Sequence, residues 1–514
     1  VGYISAIRKK EGRKDQILVW ERTDDKRRIK YYDTNDYLYF YVEDENGEYT
    51  SIYGRKLTKL VFDNTFDFYK TLNKFQGEGV TIYESDISPD LKVLSAKYYK
   101  KEVPKLHITH YDIEVDYDKT IGFSSPTNPY APINAISLYH EYSNRLVAIV
   151  VPPEGQEWSK GELLAGINEK VSVPDEYNFE LFICENELEL LLMFLDEIKD
   201  SDGIVGWNSS LFDTPYTCKR IEKVLGTAFL KRMSFEGGEM PTFREVEIYG
   251  NINIATNLSG RLDMDYLELF KKYEMAERHS YKLEYIADEF TPDLPKLEYE
   301  GSLHDLYRKD FAFFIRYNIR DVECLHGFEK KLGYVQLANE MYHISTGLFK
   351  HVTGTIKLSD LAIVNYCHYD FKVIVPDFEE KPSTKIKGAY VLLPQTGMHE
   401  WVGSIDITSL YPSAILALNI SPETLIGQFM EEVEAAKEIA KNSDKIITLQ
   451  YENSVKLIKK PAHEWRKLLI KNKWAVSGFG TIFDQNKKGI IPAVITDWFK
   501  QRVMFKRKMK EAYK

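Results

Sequence analysis

Cysteine is scarce and scattered in this chain. Cys184, Cys218, Cys324 and Cys367 lie far apart with no CxxC pair, which argues against a zinc knuckle or a disulfide framework and leaves buried thiols. Long apolar runs are missing too: no stretch approaches the roughly 18 apolar residues of a membrane span. The opening VGYISAIRKKEGRK lacks the apolar core of a signal peptide, so a cytoplasmic protein with no membrane partner is expected. Net positive charge is also lacking, at -10, but nucleic-acid binding follows local potential rather than total charge. Acidic residues crowd 179–202 and 377–380, whereas 456–473 and 500–514 are basic, a distribution that suits either a phosphate backbone or solvated helix faces. What is present, 44% hydrophobic and 28% charged residues over 514 positions, describes an ordinary globular chain too long for one core, with three or four domains expected.

Residues 1–105 carry short alternating runs such as YLYFYVEDENGEYTSIYG, broken by Gly and Asn, which predict a small β-rich domain with a helix near 65–75. Tyr37, Tyr39 and Tyr41 read as strand core, and no catalytic spacing stands out there.

The next region opens at LHITHYDIEVDYD. Alternation places His110, Asp112 and Glu114 on one strand face and Tyr111, Ile113 and Val115 on the other. Two neighbouring carboxylates repel unless a cation or proton sits between them, so DxE on a buried strand is a metal-site pattern, and on an exposed edge strand it is merely solvated. In GWNSSLFDTPY, Asp213 precedes Thr214 and Pro215 where a helix is expected to run on through 221–225, and both Asp213 and Thr214 are natural helix caps. Further on, positions 303, 307, 311, 314, 315, 322 and 325 make an apolar helical stripe interrupted by Asn318, with Tyr317 and Asp321 four apart on one face.

The string SIDITSLYPS, 404–413, alternates as a short strand with Ile405 and Ile407 entering a core and Ser404, Asp406 and Thr408 leaving it. Pro412 suits the first turn of a helix continuing through Ala414, Ile415 and Leu418. An Asp ending a strand before helix-opening amides can hold a divalent cation beside a phosphate; an ordinary turn Asp gives the same string. Residues 429–473 offer no motif, and their composition predicts surface helices. The last segment, GIIPAVITDWFKQRVMFKRKMKEAYK, predicts a helix opening at Pro492, with an apolar patch from Trp498 and Phe499. Arg502 and Lys506 lie one turn apart on it, able to clamp a triphosphate or simply to meet solvent.

The fuller string SIDITSLYPSAILALNISPET resembles palm motif A of family B DNA polymerases, most closely those of T4-like bacteriophages. Asp112-x-Glu114, Asp213 within GWNSSLFD and Tyr317-x3-Asp321 resemble, in that order, the three exonuclease motifs of the same family. EVEIYGNINI resembles a β-hairpin that helps pass the primer end to the nuclease, with Tyr249 and Gly250 near its tip or base, and Gly388 and Ala389 in KIKGAYV resemble a template-contacting element. The resemblance implies a mixed α/β multidomain fold: a β-rich N-terminal domain over 1–105 with a return segment at 334–380, a ribonuclease H-like exonuclease over 106–333, a partial palm with a helical segment over 381–488, and the start of the fingers over 489–514. It also implies two-metal 3′-to-5′ hydrolysis, in which Asp112 bridges two Mg²⁺ ions, Glu114 and Asp321 bind the first, Asp213 supports the second and Tyr317 orients the water or scissile phosphate. Mn²⁺ suits the same carboxylate shell. On the polymerase side it implies Asp406 and the Ile407 carbonyl as metal ligands, the Ser409 and Leu410 amides facing the dNTP, Tyr411 beneath its sugar, and Arg502 and Lys506 gripping the phosphates.

Motif B, motif C, the thumb and a sliding-clamp peptide are not found in the sequence, so Asp406 has no partner carboxylate and the polymerase-site metals are expected only with a further C-terminal part. A truncated chain or one product of a split gene is expected, engaging primer-template, a single-stranded 3′ end and, in the split-gene case, a separate C-terminal polymerase half, within a phage replisome in the host cytoplasm. The other readings are a non-catalytic nucleic-acid-binding or assembly subunit and a free-standing DnaQ-like exonuclease.

Overall fold

The computed structural model describes residues 1–514 apart from 12–13, 25, 118–119, 249, 296, 379–390, 408, 453 and 513–514. The chain forms two compact units, one of Val1–Leu38, Val61–Phe68 and Ile87–Ala362, the other of Tyr39–Leu60, Tyr69–Asp86 and Ile363–Lys514. The mixed α/β class expected from the sequence is what is found. Among the described residues no helix is long and apolar enough to cross a membrane.

A six-stranded sheet organises the first unit, in the spatial order Asn178–Ile183, Arg145–Val150, Ile133–His140, Ile108–Val115, Gly203–Gly206 and Leu262–Asp265. Ile133–His140 runs antiparallel to both its neighbours, and Gly203–Gly206 parallel to both of its own. Both faces are covered, so Ile133–His140 is buried along its whole length, Asn134, Ser137 and His140 included. On one face Tyr111, Ile113, Ile136 and Leu138 pack with Leu190 and Phe194 of the Glu187–Glu197 helix and with Tyr216 and Ile221 of Asp213–Val224. On the other, Ala135, Tyr139 and Ala148 meet Phe311, Phe314, Ile315, Ile319 and Val322 of the Phe311–Leu332 helix.

The apolar stripe from 303 to 325 belongs to two helices rather than one. Asp310 separates Leu303–Lys309 from Phe311–Leu332, and its carboxylate caps the second by accepting from the Phe313 amide at 3.1 Å. Gly333, at φ 64°, ends that helix in the left-handed conformation that glycine adopts without strain. The segment Thr242–Ile248 pairs with Asn251–Asn257, the last pair being Ile248 with Asn251. Gly250, at φ 79°, therefore belongs to the hairpin tip, while Tyr249 lies outside the described residues.

The N-terminal strands Gly2–Glu11, Lys14–Arg22 and Arg27–Asp33 form an antiparallel meander in the same unit. The Tyr3 hydroxyl reaches the carbonyls of Gly347 and Tyr342 at 2.6 and 3.0 Å, joining the first strand to chain more than 300 residues away. Arg22 donates from Nε to Asp202 at 2.7 Å, and the Asp202 carboxylate also accepts from the His107 amide at 2.9 Å. Both Arg22 and Asp202 are buried, so this ion pair joins the meander to the central sheet away from water.

In the second unit a four-stranded sheet runs Tyr49–Thr50, Lys56–Val61, Tyr39–Glu43, Ile82–Tyr83, and the returning chain bridges to it at Ser51 with Ile374 and Tyr83 with Pro376. The expected helix near 65–75 is present as Thr65–Gly77. A five-stranded antiparallel sheet follows, in the order Leu457–Pro461, Ile446–Tyr451, Leu425–Phe429, Thr481–Asp484, Trp474–Val476. This corrects the expectation of surface helices over 429–473. Helices Glu432–Lys441 and Ala462–Asn472 are there, but each buries a face, through Ala435 and Ile439 or Trp465 and Leu469, against Phe429, Ile447 and Leu449 of the sheet. The paired strands Ile446–Tyr451 and Leu457–Pro461 are hidden in the sequence because they are short and the apolar Ile446 and Leu457 face outward, which blurs the alternation.

The strand expected at 404–408 is also corrected. Ser404–Ile407 has no strand conformation, Ile405 is 95% and Ile407 60% exposed, and among the described residues no strand pairs with the segment. Alternation supplies two faces, whereas a strand also needs a hydrogen-bonded neighbour. Thr408, Gly388 and Ala389 lie outside the described residues. The helix expected next is found as Leu410–Leu418, with Pro412 in its first turn, and the last helix as Ile490–Ala512.

Two tests follow from this packing. Asp202→Ala leaves Arg22 buried without its counter-charge and should cost about 3–5 kcal/mol; an unchanged urea midpoint would contradict the coupling of meander to sheet. His326, on the Phe311–Leu332 helix, is held 3.0 Å from the Tyr177 hydroxyl, and burial, with nearby His110, lowers its pKa to about 4. The unfolded imidazole titrates near 6.5, so the unfolded state binds the extra proton between those values. The stability of wild type relative to His326→Leu should be greatest above about pH 6.5 and decline toward pH 4, by up to about 1.4 kcal/mol per pH unit. Parallel pH profiles of the two urea midpoints would refute it.

Candidate metal centre

The Ile108–Val115 strand has a neighbour on each side, which removes the edge-strand reading of its DxE pair. Asp112 and Glu114 project from one face because side chains alternate along a strand. Asp321 is supplied by the Phe311–Leu332 helix, and carboxylate oxygens of Asp112, Glu114 and Asp321 lie within 4.8 Å of one another. Glu114 and Asp321 are buried and Asp112 is half-buried. Three acids this close, partly shielded from water, repel one another strongly when ionised. Their donors are all hard oxygens, so the set fits Mg²⁺ or Mn²⁺ and lacks the nitrogen or sulfur ligands of a typical zinc site. Among the described residues this is the one such cluster.

Asn318, one helical turn before Asp321, donates from Nδ2 to Asp112 Oδ2 at 2.7 Å. In the sequence it is only the polar break in an apolar stripe, and that break is the signal by which it could have been found. Tyr317, on the adjoining position, sets its ring edge-on to Tyr299 with centroids 5.2 Å apart.

Asp213 opens the Asp213–Val224 helix without capping it through its side chain. Its Oδ1 instead accepts from the Ile113 amide at 3.3 Å, beside the strand between Asp112 and Glu114 though outside the 4.8 Å cluster. Thr214 is likewise used for packing chemistry rather than as a cap: its hydroxyl meets the Tyr111 hydroxyl at 2.6 Å and donates to Asp263 Oδ1 at 2.8 Å. Burial pushes the Asp213 carboxyl above the usual range, with Asp265 and Asp263 adding to it, and burial raises Asp263 to about 7. Asp265 is raised by burial as well, although the amides of Asn208, Ser210 and Leu267 donate to it.

The residues of the 404–413 string are arranged differently. Asp406, Ile407, Leu410 and Tyr411 are exposed, and Ser409 is half-buried at φ 54° just ahead of the Leu410–Leu418 helix. Asn419 ends that helix; its side-chain amide donates to the carbonyls of Asp484 and Lys487 at 2.6 and 2.9 Å and accepts from the Gly489 amide at 2.8 Å. These bonds fasten the helix to the start of Ile490–Ala512, on whose exposed part Arg502 and Lys506 stand. The first constellation is thus assembled from distant segments, and the second consists of two separate exposed stretches.

Comparison with known proteins places both regions in one family. Residues 66–286 match the exonuclease domain of DNA polymerase family B, covering Asp112, Glu114 and Asp213, and residues 363–514 match DNA polymerase family B itself, covering Asp406 to Lys506. The chain is 30% identical over 475 residues to the DNA-directed DNA polymerase of Escherichia phage RB69, covering 90% of this chain and 49% of that one. It is 27% identical over 485 residues to the enzyme of Enterobacteria phage T4, with the same coverage of 90% and 49%. A DNA polymerase of Pyrococcus abyssi is 22% identical over 437 residues, 78% of this chain and 52% of that one. The chain therefore spans about half the length of the curated relatives it matches. With two domains of one family in the same chain and phage relatives aligned over nine-tenths of it, the chain belongs to DNA polymerase family B.

Proposed function

We propose that this chain is the N-terminal part of a phage replicative DNA-directed DNA polymerase and that its own working chemistry is 3′-to-5′ proofreading hydrolysis of DNA. The observation that carries this reading is the convergence of Asp112, Glu114 and Asp321, from one strand and one helix, on a single point. The division of labour we assign is an N-terminal domain over 1–105 with 334–380, an exonuclease over 106–333, a palm portion over 381–488 and the first fingers segment over 489–514. The substrate is the single-stranded 3′ end of a primer-template.

Asp112, Glu114 and Asp321 are the residues that would hold the divalent cations, Mg²⁺ or Mn²⁺, with Asp213 supporting the second from the start of its helix. When bound, such cations make water a stronger nucleophile at neutral pH and stabilise the departing 3′ oxygen. Asp112 would serve both positions, since it belongs to the cluster with Glu114 and Asp321 and neighbours Ile113, whose amide donates to Asp213. Tyr317, one turn before Asp321, would orient the water or the scissile phosphate through its hydroxyl. The surrounding sheet and helices keep these groups on rigid elements, which is what in-line hydrolysis requires of a scaffold.

For nucleotidyl transfer, Asp406 and the Ile407 carbonyl would be ligands, the Ser409 and Leu410 amides would meet the dNTP phosphates, Tyr411 would lie against its sugar, and Arg502 and Lys506 would contact the phosphates from the last helix. Because the chain spans about half the length of its relatives, the remainder of such an enzyme would complete this site and carry the contact to a sliding clamp.

The experiment is digestion of a 5′-labelled single-stranded oligonucleotide with Mg²⁺. Wild type should shorten it from the 3′ end, and an Asp112→Ala, Glu114→Ala double variant should be slower by more than about a hundredfold. Equal rates, with both proteins folded, would refute the nuclease and leave a binding or assembly subunit.

A further inference from the structure

Asn318 is 0% exposed and sits in the middle of a helix face whose neighbours Ile315, Ile319 and Val322 belong to the apolar core. Replacing an amide there by an aliphatic side chain would suit that core, since an unmatched buried polar group costs roughly 1–3 kcal/mol. Its amide nitrogen is matched by one bond, the 2.7 Å contact from Nδ2 to Asp112 Oδ2, while its Oδ1 has no hydrogen-bond partner among the described residues. The described polar interaction of this side chain is therefore directed at the carboxylate of the cation cluster and not at the helix or the sheet. A hydrogen bond from a rigid helix to one oxygen of a half-buried carboxylate fixes its rotation about the last side-chain bond. That commits one oxygen and sets where the other points.

We propose that Asn318 is a positioning residue of the cation centre: it holds Asp112 in its ligating orientation and so sets the affinity of the site for divalent metal. This rests on the reading of the site as a metal-dependent nuclease. Asn318 itself touches neither substrate nor reacting atoms, and acts only through Asp112.

The test uses the whole 514-residue chain and Mn²⁺ alone as the probe, with binding read by calorimetry and by the electron paramagnetic resonance of free Mn²⁺. Asn318→Leu, close in volume and unable to donate, should weaken Mn²⁺ binding about 10–100-fold. The thermal midpoint should fall little, because the substitution also removes an unmatched buried oxygen. In digestion assays the same variant should need more Mg²⁺ for half-maximal rate and recover most of its rate at saturating metal, a split that loosened packing would not produce. If Asn318→Leu does not fold by circular dichroism, Asn318→Ala replaces it with the same expected readings. A folded variant that binds Mn²⁺ as tightly as wild type, while Asp112→Ala binds poorly, overturns the role of Asn318 and leaves the nuclease intact. A wild-type protein that binds no Mn²⁺ overturns both.

Discussion

Mutual repulsion among Asp112, Glu114 and Asp321 is the constraint around which the first unit is built. With ligand oxygens within 4.8 Å of one another and an effective dielectric constant near 20, each ionised pair opposes the fold by about 3.5 kcal/mol or more. A flexible surface would relax such a cluster by turning the side chains outward. Here the strand is flanked on both sides and the helix is pressed onto the sheet by Phe314, Ile315 and Ile319, so the acids are held in register with nowhere to go. The apolar packing on both faces thereby maintains a charged arrangement that a bound cation or a proton relieves.

Asp213, Asp263 and Asp265 extend the same strategy one layer further. Burial lifts all three carboxyls above their ordinary range, and the compensation differs at each: backbone amides at Asp265, a threonine hydroxyl at Asp263, the Ile113 amide at Asp213. Where many donors converge, as at Asp265, the carboxylate serves as a structural pin for the turn at 208–210. Where few do, as at Asp213, acceptor capacity is left over.

Much of this was legible from residue order. The 108–115 strand and the 311–332 helix follow from periods of two and 3.6, and the side-by-side placement of Asp112 with Glu114 follows directly. That Asp321 would meet them depended on family resemblance, because pairing a helix with a strand 200 residues away leaves no local trace. Asp213 was ambiguous in the sequence, since a helix-opening aspartate has the same composition whether it caps or reaches across to a strand. Asn318 was passed over because one polar residue in an apolar stripe reads as noise. The 404–408 segment shows the opposite failure: its alternation is clear, yet Ile405 and Ile407 stay in solvent because pairing, a non-local property, is what makes a strand. In Ile446–Tyr451 and Leu457–Pro461 the pairing exists, but strands of six and five residues with apolar positions facing outward show no clear alternation.

The two bridges at Ser51 with Ile374 and Tyr83 with Pro376 bear on how this protein is made. Tyr41, Leu57 and Tyr83 share a small core with Ile374, so a patch composed early in translation is closed only by residues about three hundred positions later. Until those residues leave the ribosome, the nascent 39–60 and 69–86 segments keep an unfinished apolar surface while the intervening chain emerges. The six-stranded sheet, which draws only on residues 108–265, can form during that interval. Synthesis from the N-terminus thus gives the six-stranded sheet a head start over the unit that carries the 404–413 string.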